Sequence, residues 1–156
     1  MNLSEELNRL NTLFIDTAPV IYFIEAHPQF GPLAKEVVNA FQSGSLSAFS
    51  SVITLTEVLS KPSETGDEAL AKKFAEFLKH GRNLILLEIT LSIAERAGRL
   101  RGRYKDIKAI DAIQIASAIE VGADAFLTND KKLKKVEEIK VIVLKDYLQE
   151  QVKEES

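Results

Sequence analysis

Lys108-Ala109-Ile110-Asp111-Ala112-Ile113-Gln114-Ile115-Ala116-Ser117-Ala118-Ile119-Glu120 is the stretch on which the fold turns. Good helix formers fill it, with no breaker inside, and they predict about three turns of helix. Eight of its positions carry only alanine or isoleucine, so almost no polar face remains. A helix that is apolar all round is packed inside its domain. Asp111 then opens a buried helix, where an isolated carboxylate is costly. Two partners would answer that cost: the partial positive charge of the helix N-terminus, or a bound cation.

Outward from this helix the chain alternates. Downstream, Gly122 ends it, Ala125–Leu127 reads as a very short strand, and Val141–Leu144 reads as another, with a polar helical tail from Lys145. Upstream lie a helix over Ser92–Arg103, a strand over Leu84–Leu87 and an amphipathic helix over Asp67–Leu78. Before them come a strand over Ser47–Val52 and a helix over Thr54–Ser60, which Lys61-Pro62 is expected to stop. Leu33–Phe41 and Val20–Ala26 read as helices, the latter started by Pro19 in its first turn. Thr12–Ile15 is the first strand, and Ser4-Glu5-Glu6-Leu7 caps a short helix ending near Asn11. Strands alternating with helices make an α/β fold: a mostly parallel sheet of four to five strands, covered on both faces. In such sheets ligands bind beyond the carboxyl ends of the strands.

A chain of 156 residues suits a single domain, 1–156, with a core over about 12–144, an N-terminal helical extension over 1–11 and a polar tail over 145–156. The balance of 46% hydrophobic and 28% charged residues is that of a soluble globular protein. Cysteine is absent, which excludes a disulfide framework, a thiolate nucleophile and a cysteine-type zinc site. This fits a reducing compartment, and a cytoplasmic location is expected. The first residues carry early acids and no apolar run, so no signal peptide is read there. No apolar run reaches the roughly 18 residues that span a bilayer, so no membrane association is expected. A net charge of −3 argues against a protein that coats nucleic acid, yet allows an enzyme with a local basic patch.

Four acids occupy the positions where this topology puts chemistry. Asp16 follows the first strand, Glu57 lies in the first turn of the helix after the second, Asp111 opens the apolar helix, and Asp130 follows the fourth strand. Each has a local structural use. Asp16 can serve as an N-cap, Thr54-x-x-Glu57 matches a capping box, Asp111 complements a helix dipole, and Asp130 can cap a turn. Together they are harder to account for, because acids a few ångströms apart repel by about 1 kcal/mol per pair even in water. Gathered on one edge they call for a cation. Hard oxygen ligands suit Mg²⁺ or Mn²⁺ rather than zinc, and such ions activate water and clamp phosphate groups.

Four segments, taken in order, resemble the successive motifs of PIN domains, most closely those of the VapC-like toxin ribonucleases. They are Leu13-Phe-Ile-Asp16-Thr-Ala, Ser51-Val-Ile-Thr-Leu-Thr-Glu57-Val-Leu, Ile110-Asp111-Ala-Ile-Gln-Ile-Ala-Ser-Ala and Leu127-Thr128-Asn129-Asp130-Lys-Lys-Leu. The resemblance implies a three-layer α/β/α sandwich and a Mg²⁺- or Mn²⁺-dependent endoribonuclease acting by metal-activated water. It makes Asp16, Glu57, Asp111 and Asp130 the catalytic and metal-binding acids, with Thr128 supporting them through its hydroxyl. It further implies an RNA substrate and a cognate antitoxin. Two departures stand out: Ile110 where proline is common, and Gln114 where histidine is frequent. A homodimer built on an apolar helix face is also expected. Three other readings compete: a PIN nuclease of RNA processing that is not a toxin, a non-catalytic RNA-binding module, and an aspartyl-phosphate phosphotransferase. Against the last, Ala18 stands where such phosphatases carry a second aspartate.

Basic residues flank two of the acids. Arg96, Arg99, Arg101, Arg103, Lys105 and Lys108 precede Asp111; Lys131, Lys132, Lys134 and Lys135 follow Asp130. Of these, Arg99, Arg101, Arg103, Lys105, Lys108 and Lys131 are the expected contacts to an RNA backbone. Tyr104 is the candidate for stacking on a base. His27 and His80, each beside a chain break, read as surface residues rather than ligands.

Overall fold

The computed structural model describes residues 1–148. Its five strands are β1 (Thr12–Ile15), β2 (Ser47–Ser51), β3 (Leu84–Leu87), β4 (Ala125–Thr128) and β5 (Lys140–Val143). They form one sheet in the order β3-β2-β1-β4-β5, with every neighbouring pair parallel. The helices are α1 (Leu3–Leu7), α2 (Thr17–Ile24), α3 (Gly31–Gln42), α4 (Val52–Thr65), α5 (Glu68–His80), α6 (Leu91–Arg103) and α7 (Ala109–Val121). The chain starts in the middle of the sheet, builds outward through β2 to β3, then crosses to the other side of β1 to lay down β4 and β5. Strand order therefore reverses between β1 and β4, which opens a crevice at their carboxyl ends.

Side chains on a strand alternate between faces. In β1, Leu13 and Ile15 join Leu127 of β4 in a core with Leu33, Val37 and Phe41 of α3 and Phe74 and Leu78 of α5. Phe14 points to the other face, opposite its register partner Phe126, and the two rings stack at 5.5 Å between centroids. That face is closed by Ile93, Ala97 and Leu100 of α6 and Ile115 of α7. The result is three layers, with α1 to α5 below the sheet and α6 and α7 above it. Burying each of these large side chains contributes about 1.5–3 kcal/mol.

Four sequence expectations change. α1 is capped by Asn2, whose side chain accepts the Glu5 N–H while Glu5 bonds back to the Asn2 N–H, so Ser4 is not the cap. The helix ends at Leu7, and Leu3, Leu7 and Leu10 sink into the main core, so the first turn of chain is part of the packing. Buried Glu6 pairs with Lys140 of β5 and pins α1 further. Pro62 does not stop α4. Its ring is buried, its carbonyl accepts the Gly66 and Asp67 N–H groups, and the helix ends only where Gly66 turns left-handed at φ 74°. α7 is not buried throughout: Ile110 is 44% exposed and Asp111 half-buried, and deep burial begins at Ala112. After β5 the chain makes a 3-10 turn over Leu144–Tyr147 rather than starting an α-helical tail, and residues 149–156 of that expected tail lie outside the described residues. Among the described residues no helix is long and apolar enough to cross a membrane.

Candidate active site

The carboxyl edge of β1 and β4 carries the acids. Asp16 is the N-cap of α2: Oδ1 accepts the Thr17 N–H at 2.9 Å. Its Oδ2 accepts the Thr128 hydroxyl at 2.8 Å. Thr128, 1% exposed, closes β4, and its oxygen also accepts the Asp130 N–H at 3.2 Å. One buried hydroxyl thus ties Asp16 to the loop that carries Asp130. Asp130 itself caps the next 3-10 turn (Lys131–Lys135) by accepting the Lys132 N–H at 3.0 Å.

Glu57 lies in the second turn of α4, not the first, because the helix starts at Val52 with Ser51 as its cap. The expected Thr54-x-x-Glu57 capping box is therefore not formed. Glu57 Oε1 instead accepts the Thr17 hydroxyl at 2.6 Å. It also borders an open groove of about 440 Å³ between α2, α4 and α5, lined by Ile21, Glu25, Lys61, Pro62 and Phe74. Asp111 stands in the first turn of α7.

Electrostatics joins the four into one group. Burial pushes the Asp16 carboxyl up from 3.8 to about 6; the bonds from Thr17 and Thr128 oppose this, and the charges of Asp111 and Glu57 add to it. Burial also raises Asp111, followed by Asp130 and Glu57, with Lys108 pulling the other way. Two carboxyls raised mainly by burial and then by neighbouring acids, on one edge, mark a candidate functional site.

The donor set suits a hard dication, since it consists of carboxylate oxygens. Among the described residues no three acidic or histidine side chains converge into a ready-made metal cage. Carboxylate oxygens are the ligand type that a Mg²⁺-like ion takes, and such an ion keeps several of its waters.

The basic residues divide. Lys108 is the cation whose charge reaches Asp111. Arg103 is paired with Glu137 at 3.1 Å and Glu138 at 3.3 Å, and Lys131 lies 3.9 Å from Asp146. Arg101 donates to the Ile107 carbonyl at 3.4 Å. Arg99 shares the field of Glu120 with Arg96. Lys105 is exposed, and no described contact brings it to the acids. Tyr104 does not offer a free ring. Its hydroxyl donates to Glu138 and accepts the Glu137 N–H, and the Arg103 guanidinium covers it at 5.3 Å. His27 is half-buried rather than fully on the surface: Nδ1 accepts the Gln29 and Phe30 N–H groups, so it is a structural cap and no ligand.

One set of residues escaped the reading of the sequence as a site: Thr17, Ser51, Thr54 and Gln114, all buried and hydrogen-bonded to one another. The available signal was Gln114, a long polar side chain in the middle of an apolar helix.

The PIN domain family model matches residues 13–139. No curated protein sequence matches the chain. Solved structures share its shape. VapBC2 from Rickettsia felis, bound to a DNA fragment from its promoter, superposes with a TM-score of 0.70 at 20% identity, over 85% of this chain and 98% of that one. A toxin–antitoxin complex from Klebsiella pneumoniae gives 0.64 at 23% identity, over 85% and 97%. VapC20 of Mycobacterium tuberculosis, a sarcin–ricin loop cleaving toxin, gives 0.64 at 17% identity, over 82% and 98%.

Proposed function

The chain belongs to the PIN domain family, and on that premise we propose that it is a divalent-metal-dependent endoribonuclease, the toxin of a toxin–antitoxin pair. The observation that carries the chemistry is the electrostatic coupling of Asp16, Glu57, Asp111 and Asp130 at one edge of the fold, with Asp16 and Asp111 both pushed toward protonation. A protein gains no stability from this crowding, so the acids are there to hold a cation. In this reading the four carboxylates hold Mg²⁺ or Mn²⁺. When bound, such an ion lowers the pKa of a coordinated water and neutralises charge on a phosphodiester.

The chain's own groups prepare the site. Thr128 orients Asp16 by donating to Oδ2. Thr17 fixes Oε1 of Glu57. Lys108, exposed at the start of α7, is the cation best placed to meet a phosphate of the strand. Arg99, Arg101, Arg103, Lys105 and Lys131 then act in longer-range attraction rather than as direct backbone contacts. The antitoxin assignment draws on the VapBC and toxin–antitoxin complexes that share the shape. A homodimer is kept as the expected assembly, and a cytoplasmic location as the expected compartment.

The test is cleavage of RNA by the purified protein with Mn²⁺ or Mg²⁺, then with chelator, beside Asp111→Asn prepared identically. Cleavage is expected to need the metal and to vanish in the variant. Equal cleavage by both proteins would count against the site. Growth of cells expressing the chain alone, compared with co-expression of the neighbouring gene product, separates a toxin from a PIN nuclease of RNA processing.

A further inference from the structure

Beside the carboxylates, a single file of polar side chains runs through the core where β2, α4 and α7 meet. Gln114 is fully buried. Its Oε1 accepts the Ser51 hydroxyl, and its Nε2 donates to Thr54 Oγ1 at 2.7 Å. Thr54 Oγ1 is 3.1 Å from Thr17 Oγ1, and Thr17 donates to Glu57 at 2.6 Å. At the far end Ser51 Oγ accepts the Ile53 N–H at 3.1 Å.

The protons in this file have one consistent order. A carboxylate only accepts, so Thr17 gives its proton to Glu57. Thr17 must then accept from Thr54, whose single proton is thereby committed. Thr54 in turn accepts from the Gln114 amide N–H₂, a pure donor, while the amide oxygen accepts from Ser51. With the amide reversed, Thr54 would give its proton to Gln114, and Thr17 would lose its donor. In the order described every link donates toward Glu57, so each bond polarises the next. No buried side-chain polar atom among the described residues is left unpartnered.

A packing role alone does not call for this arrangement. Replacing both partners of a buried hydrogen bond by apolar groups of the same shape is nearly neutral. Leucine at 114 and valine at 54 would fill the same space. What the file adds is orientation. Glu57 is exposed on α4, and a free glutamate there samples many rotamers. Gln114 also lies one turn after Asp111 on α7, so it ties the helix carrying one acid to the helix carrying another.

We propose that Gln114 is a positioning residue for Glu57: through Thr54 and Thr17 it holds the carboxylate in the orientation that meets a divalent cation. This role rests on the metal-site reading above. It is tested with Thr54→Val, which keeps shape but breaks the file, Thr54→Ser, which keeps the hydroxyl, and Gln114→Leu, which removes the anchor. Mn²⁺ affinity is measured by calorimetry, and exchange of the Thr17 hydroxyl proton with water by NMR on the metal-free proteins.

Thr54→Val and Gln114→Leu are expected to bind Mn²⁺ about 10-fold more weakly, the loss typical when a group orienting a ligand is removed. Thr54→Ser should return close to wild type. The Thr17 hydroxyl should exchange slowly in wild type and in Thr54→Ser, and faster in Thr54→Val, where the incoming bond that polarises it is gone. Should Gln114→Leu fail to fold, the Thr54 pair carries the test. Wild-type Mn²⁺ affinity in a folded Thr54→Val overturns the positioning role and leaves the metal site standing. A wild type that binds no Mn²⁺ overturns the metal-site reading first and this role with it. A Thr17 hydroxyl that exchanges fast in wild type overturns the relay alone.

Discussion

Two charged regions of the molecule follow opposite rules. On the face formed by α6 and the segment after β4, opposite charges meet: Arg103 with Glu137 and Glu138, Lys135 with Asp106, Lys134 with Asp146, Arg96 with Glu120. At the carboxyl edge of β1 and β4, like charges meet: Asp16, Glu57, Asp111 and Asp130, with Lys108 offsetting them at Asp111. The first region reads as ordinary surface, where each exposed pair contributes about 0–1 kcal/mol. The second is arranged against the stability of the free protein. Under the proposed function the contrast has a simple reason, because a bound cation would turn the repulsion into attraction.

Substitutions on the two sides should therefore differ in kind and size. Asp111→Asn is expected to lower metal-dependent RNA cleavage by more than about 100-fold, beyond the range typical of residues that only orient a ligand. Retained activity in that variant, measured in single turnover, would erase the contrast.

Next in size is a gain in stability. The fold raises the Asp16 carboxyl from 3.8 to about 6, so the folded chain holds its proton more tightly than the unfolded one. Below both values neither form is ionised and nothing is lost. As pH rises from 3.8 toward 6 the unfolded chain ionises first and the fold loses stability, with the full loss reached above about 6. At about 1.4 kcal/mol per unit, this amounts to roughly 3 kcal/mol. Metal-free Asp16→Asn should then be more stable than wild type by up to that amount at neutral pH, and by nothing below the unfolded value. Thermal denaturation across pH checks the sign. Saturating Mn²⁺ should narrow or invert the difference, since it binds the folded wild type. A variant less stable than wild type at neutral pH without metal would sink the claim that the edge is charge-stressed.

The basic residues give smaller effects. Lys108→Ala should weaken binding of uncleavable RNA similarly across sequences, and reduce the salt slope by about 1. Arg103→Ala, which opens an exposed pair already satisfied by two glutamates, should leave that slope unchanged and shift stability by less than about 1 kcal/mol. If Arg103→Ala changed the slope as much as Lys108→Ala, the two regions would be one surface.

Much of this was legible in the residues. Short runs such as Leu84–Leu87 and Ala125–Phe126–Leu127 mark their strands by composition and bounding turns, and Gly122 marks the end of α7 by its freedom at positive φ. Asp16 and Asp130 announced themselves by following strands, and Asp111 by opening an apolar helix. Pro62 was misread because the local penalty of proline is visible in sequence, whereas the burial of its ring and the two bonds to its carbonyl are not. Tyr104 has partners that the sequence did not show, for a related reason. Aromatic character suggests stacking, but Glu137 and Glu138, more than thirty residues away, claim its hydroxyl.

The alternation of strands and helices, the parallel sheet, and which acids fall at strand ends could all be read from the residues, since they follow from periodicity and from neighbours close in the chain. Only the tertiary structure decided which groups touch. Thr128 reaches Asp16 across 112 positions, and Gln114 reaches Ser51 and Thr54 across 63 and 60. Hydrogen bonds over such separations carry no local signature, because their partners are brought together by the register of β1 against β4 and by the seating of α7 on the sheet.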